Sequence, residues 1–265
     1  LQCKQKDLSD WEEMVEKSKI VNKKVEVALV GKYTELHDAY ISVVEALKHA
    51  CIYHHSELHI NWIDSDEITE KNAGSILKNM DGILIPGGFG VRGTEGKINA
   101  ARYARENKIP FLGLCLGMQI AIVEFARHVC GMTDANSIEM NPNTQYPVID
   151  FLPGQSEYSM LGGTLRLGKY PCKVLPETKA FEAYKEEVIY ERHRHRYEVN
   201  NEYRDILREK GMIFCGTSPN NSVVEMIELE NHPWYVACQF HPEFKSRPNR
   251  PHPLFLGFIN AAVTK

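Results

Sequence analysis

The spacing of apolar positions changes character along this chain, and the changes mark out its architecture. Near the start, Leu8, Trp11, Met14 and Val15 recur at helical spacing within a charged stretch, which predicts an amphipathic helix over residues 1–21. Short apolar runs then alternate with helical patterns. Residues 24–30 read as a buried strand, followed by a helix over 38–51. Residues 57–63 are a second strand, with a helix over 68–79, and 81–86 a third, ending at Gly87-Gly88. A helix over 95–107 precedes a fourth strand, 109–114, which runs into a helix over 118–128. Such alternation predicts an α/β fold with a doubly wound, mostly parallel central sheet flanked by helices.

Beyond about Asn141 the pattern tightens. Strands are predicted at 146–151, 161–167, 187–190, 212–216, 223–229 and 234–240, with helices only over 178–185 and 202–210. Close succession of strands predicts antiparallel sheet added to the first sheet or packed beside it. Residues 152–160 read as a polar variable loop. Pro248, Pro251 and Pro253 lead stiffly into a last helix, 254–263.

Composition narrows the function. The 265 residues carry a formal charge of −4, which argues against nucleic-acid binding, since that normally needs a basic excess. No apolar run approaches the roughly 20 residues of a membrane span. The charged start does not read as a signal peptide, and the leading Leu1 fits a piece cut from a longer protein. Seven cysteines with no C-x-x-C pair indicate neither a zinc site nor a disulfide framework, so no metal is expected and a reducing, cytoplasmic setting fits.

The candidate chemistry lies at strand ends. The fourth strand stops in Gly113-Leu-Cys115-Leu-Gly117 and a helix follows, a nucleophile elbow with cysteine at the turn. Unpaired N–H groups at a helix start favour a thiolate there. A buried structural cysteine is the plainer reading of any one thiol, but two flanking glycines at a strand–helix switch favour the nucleophile. Pro86-Gly-Gly-Phe-Gly90 ends another strand. It lacks the Lys-Ser/Thr of a phosphate loop, and the N–H groups of Gly88 and Leu116 are candidates for an oxyanion hole. His241-Pro-Glu243 follows the strand 234–240, with Glu243 placed to orient the imidazole. The densest cationic run, Glu191-Arg-His-Arg-His-Arg-Tyr197, is either a solvated surface or a strand that presents one arginine to a carboxylate.

These pieces resemble the class I (triad) glutamine amidotransferases. More narrowly, Val30-Gly-Lys-Tyr-Thr, Asp38-Ala-Tyr, the block from Gly87 to Lys97, Gly162-Gly-Thr-Leu-Arg-Leu-Gly168 and Glu191 to Asn200 resemble the glutaminase domain of CTP synthase. The resemblance implies a flavodoxin-like fold in which Cys115 attacks the side-chain amide of L-glutamine. It further implies that His241 moves protons, Glu243 orients it, and glutamine is held by Gly88, Phe89, Leu116, Gln119, Glu139 and Arg196. Arg192 and Arg194 compete with Arg196 for that role. Arg92, Gly93 and Glu95 match a lid linked to activation by GTP. Residues 1–22 would be an interdomain linker helix and 23–265 the glutaminase domain, which needs no cofactor of its own. The family's N-terminal synthetase domain, which uses ATP and Mg²⁺ to aminate UTP, has no counterpart here, and the full-length enzyme is expected to be a homotetramer. Two other readings remain: a related class I amidotransferase or γ-glutamyl hydrolase-like cysteine hydrolase, and a catalytically silent regulatory module.

Overall fold

The computed structural model describes residues 7–151 and 166–265. The first helix, α1 (Ser9–Ser18), begins where Asp7 Oδ1 accepts from Ser9 N at 2.9 Å. It is shorter than the 1–21 pattern. Residues 1–6 lie outside the described part, and Ile20 and Val21 stand exposed before the first strand.

Strands and helices then alternate as the periodicity predicts: β1 (Lys23–Gly31), α2 (Ile41–Tyr53), β2 (Ser56–Asp64), α3 (Ala73–Leu77), β3 (Gly82–Ile85), α4 (Thr94–Glu106), β4 (Phe111–Leu114) and α5 (Leu116–His128). The helix expected over 68–79 shrinks to α3. Asn72 explains why: its Oδ1 accepts from Thr69 N at 2.7 Å and its Nδ2 donates to Glu67 O at 2.8 Å. That local side-chain bonding holds 67–72 in a turn and competes with helix.

The second half holds β5 (Asn136–Ser137), β6 (Pro147–Phe151), β7 (Arg166–Val174), α6 (Lys179–Tyr184), β8 (Val188–His195) and β9 (Tyr197–Val199). It continues with α7 (Arg204–Glu209), β10 (Met212–Thr217), β11 (Val224–Leu229), β12 (Tyr235–Cys238) and α8 (Pro253–Thr264). The predicted loop 152–160, Gly162-Gly163 and the first part of the strand 161–167 lie outside the described residues.

Nine strands form one sheet in the order β2-β1-β3-β4-β12-β11-β10-β7-β8, and β5, β6 and β9 form a small second one. From β2 to β12 the strands are parallel; from β12 to β8 they are antiparallel. Placing 234–240 in the antiparallel half is therefore corrected. β12 pairs in parallel with β4, Cys238 opposite Leu114, while its other edge meets β11 in antiparallel fashion. A fully apolar strand fits either kind of pairing, so period alone does not settle its direction.

Apolar clusters cover both faces of the sheet. Along β1, Ala28 and Val30 join one cluster while Val27 and Leu29 join the other. Burial on both faces is why these strands read as continuous apolar runs. The carboxyl ends of β3, β4 and β12 lie side by side and carry Gly87-Gly88, Cys115 and His241 to one edge, where ligands bind in open α/β sheets.

Candidate active site

Cys115 occupies the step between β4 and α5 with φ 50° and ψ −101°. Positive φ is costly for a residue with a Cβ, and such strain persists only where the surroundings enforce it. The flanking glycines do so by allowing close approach. A Cβ on Gly117 would lie 2.2 Å from Ile85 O, and one on Gly113 would lie 2.7 Å from Gly117 O. Cys115 N also donates to Cys238 O at 2.7 Å, which ties the elbow to β12.

His241 lies beside this cysteine, close enough for the two side chains to interact. Its Nδ1 meets Glu243 Oε1 at 2.8 Å, so the other ring nitrogen is the one offered to sulfur. Burial works against a charged imidazole here, yet interaction with Cys115 and Glu243 outweighs it and holds the histidine pKa up at about 10. The imidazole therefore keeps its proton at neutral pH. Phe244 stacks on its face with ring centroids 5.4 Å apart. Gly87 supplies the room: a Cβ there would stand 2.9 Å from His241 Cε1 and 3.6 Å from Cys115 Cβ.

A cavity of about 380 Å³ opens on Cys115. Gly88, Phe89, Gln119, Glu139 and Arg196 line it, as do Arg194, His195 and Tyr197. Leu116 is buried; its Cδ2 would lie 3.3 Å from a Cβ on Gly88. As the first residue of α5, Leu116 has an N–H with no intrahelical acceptor. Glu139 Oε1 accepts from Gly90 N at 2.9 Å and fastens the glycine loop over the cavity. A larger concavity of about 780 Å³ lies beside Arg204 and Arg208, with neither cysteine nor histidine in its lining.

The cationic run is neither a plain solvated face nor a plain binding strand. β8 extends to His195 and alternates: Arg192 and Arg194 are exposed, Glu191, His193 and His195 buried. Arg194 and Arg196 reach the cavity and Arg192 does not, which removes one of three candidates for carboxylate recognition. Beneath them Arg166 bridges Glu225 at 2.7 Å and Glu198 at 3.0 Å. Burial pushes His193 and His195 down to about 2 and about 3, and His232 to about 4. These three remain neutral in the native state far below the pKa at which an unfolded chain protonates them, about 6.5. At these three sites the unfolded state thus binds more protons below about pH 6.5, and their contribution to stability falls as pH falls. His232→Gln is expected to make the unfolding free energy in urea fall less steeply between pH 6.5 and 5, by on the order of 1 kcal/mol per pH unit; the same slope in variant and wild type would contradict its neutral burial.

The residues matched to a lid lie around the start of α4. Arg92 pairs with Asp66 at 3.2 Å and donates to Lys32 O. Gly93 adopts φ 74° before the helix, and Glu95 pairs with Arg127 of α5 at 3.0 Å. Among the described residues no cluster of three potential metal ligands exists, and no helix is long and apolar enough to cross a membrane.

Sequence reading missed the place of Tyr197 in the cavity lining and, most consequentially, Gln239, whose Nε2 donates to Cys115 Sγ at 3.6 Å. A lone polar residue inside the apolar run 234–240 was the available signal, because buried polar groups in a strand demand partners.

The family model for class-I glutamine amidotransferases matches residues 35–261. The chain belongs to that family. Among these amidotransferases it is similar to the CTP synthases of Moorella thermoacetica, 61% identical over 100% of this chain and 49% of the relative, and of Bacillus velezensis, 60% identical over 99% and 49%. It thus spans about half the length of these curated relatives. Among solved structures it is similar to the glutaminase domain of Trypanosoma brucei CTP synthase with bound acivicin, with a TM-score of 0.86 and 38% identity over 91% of this chain and 94% of that one.

Proposed function

We propose that this chain is the glutaminase part of a CTP synthase and hydrolyses L-glutamine to glutamate and ammonia through a Cys115–His241–Glu243 triad. The observation that supports it most is His241, held by Glu243 at 2.8 Å, beside a cysteine that opens on a cavity of amino-acid size. Cys115 Sγ attacks the side-chain amide carbon, and the N–H groups of Gly88 and Leu116 receive the developing oxyanion. His241 gives its proton to the departing amine, so ammonia leaves and a glutamyl thioester remains. The same imidazole, now neutral, takes a proton from water as it attacks the thioester, and glutamate is released. Glu139 suits the α-ammonium, and Arg196 or Arg194 the α-carboxylate, as a charge-assisted pair.

Ammonia would pass to a synthetase part of the same polypeptide, which would use ATP and Mg²⁺ to convert UTP to CTP. Arg92, Gly93 and Glu95 would form a lid that answers to GTP, and residues 1–22 the linker, in a homotetrameric, cytoplasmic enzyme.

Glutamate release from L-glutamine tests the reading together with three arginine variants. Arg196→Ala is expected to raise KM for glutamine about 10- to 100-fold, the worth of one hydrogen bond to a charged group. Arg194→Ala should raise it less and Arg192→Ala hardly at all. Equal effects for all three would remove the proposed recognition.

A further inference from the structure

One polar chain runs from a backbone carbonyl to the nucleophile, and each link in it is directional. Tyr197 O can only accept hydrogen bonds. Gln119 Nε2 donates to it at 3.3 Å, and the same nitrogen donates to Gln239 Oε1 at 3.2 Å. With its oxygen committed to Gln119, Gln239 turns its amide nitrogen to Cys115 Sγ at 3.6 Å. The usual ambiguity of amide orientation is removed, because flipping either glutamine would set two donors or two acceptors face to face. Gln239 is fully buried, and its own backbone N donates to Glu225 O at 2.8 Å on the neighbouring strand. Burial shields its side-chain amide from solvent. A second branch fixes the anchor: His195 Nδ1 meets Tyr197 O at 3.2 Å, and His195 Nε2 meets His193 Nδ1 at 2.8 Å.

We propose that Gln239 is a catalytic residue that donates a hydrogen bond to the Cys115 thiolate, with Gln119 as the positioning residue that orients it. This rests on Cys115 being the nucleophile. His241 supplies the mobile proton, whereas the Gln239 amide supplies a fixed dipole that favours the ionised sulfur and keeps its lone pair aimed into the cavity. A donor that never transfers its proton stabilises the thiolate without lowering the leaving group's chance of protonation. Gln119, read from resemblance as a glutamine ligand, has spent its nitrogen inward. What it presents to substrate is its oxygen, which accepts.

The test is alkylation of Cys115 by iodoacetamide, followed by mass spectrometry of the peptide that carries it, in the chain as it stands. Wild type should react readily at about pH 7. Gln239→Met, similar in volume and without a donor, should move the rise of the alkylation rate with pH upward by about one unit, a tenfold change in the thiol–thiolate balance. At about pH 10 the two rates should converge, which a general loss of structure would not produce. Gln119→Met, which leaves Gln239 in place but free to flip, should give the same pattern with a smaller displacement, and it carries the test if Gln239→Met fails to fold. Superimposable profiles of alkylation rate against pH in wild type and both variants would overturn the role of Gln239 and leave the nucleophile reading intact. A wild-type Cys115 that reacts at pH 7 no faster than the other accessible thiols would overturn both.

Discussion

Cys115→Ala is expected to lower glutamate release from L-glutamine by about 10⁵-fold or more while the protein stays folded. Removing the nucleophile of an acyl-transfer triad costs on the order of 10⁶ in turnover, because the remaining groups act only through it. The substitution deletes one sulfur atom and retains the Cβ, so the strained φ of 50° at the elbow and its backbone bond to Cys238 are retained. Stability should change by no more than about 1 kcal/mol, the cost of a modest buried truncation. Glutamate production and thermal melting, measured together, check both halves of the expectation. Loss of activity accompanied by unfolding would leave the assignment of Cys115 unsupported.

His241→Ala should cost nearly as much, about 10⁴-fold, since one imidazole serves as acid for ammonia and as base for water. The double variant with Cys115→Ala should be no slower than the worse single one, because residues that act as a unit are not additive. The pH dependence gives a sharper check. Interaction with Cys115 and Glu243 holds His241 protonated to about pH 10, so the alkaline limb of kcat/KM should lie well above the value of about 6.5 for a free histidine. Glu243→Gln removes a charge that favours the imidazolium, so the limb should move to lower pH. A limb that stays fixed in that variant would break the link between Glu243 and the proton on His241.

The legible parts of this chain are those where local chemistry and tertiary context agree. The alternation of buried runs and helical patterns located the parallel strands because β1, β3 and β4 are covered on both faces. Cys115 was legible because a glycine on each side of a strand–helix switch has few purposes other than close approach. Other features were hidden for specific reasons. The direction of β12 depends on its partner β4, not on its own residues. The helix at 68–79 yielded to the side-chain bonds of Asn72, a competition that apolar spacing does not register. In the run 191–197 the period of two was visible, but which face was buried was not. Only pairing with β7 turns His193 and His195 inward and the arginines outward. Gln239 was hidden deepest, since its role depends on three segments meeting: the elbow, α5 and the start of β9.

The central claim, that amide hydrolysis passes through a covalent bond at Cys115, is tested most directly by mixing the protein with L-glutamine, quenching in acid within the first turnover and weighing the peptide that contains Cys115. The account predicts a mass gain of one glutamyl group on that cysteine, removed by hydroxylamine and absent from Cys115→Ala. Glutamate release without any adduct, at a rate that Cys115→Ala preserves, would contradict it.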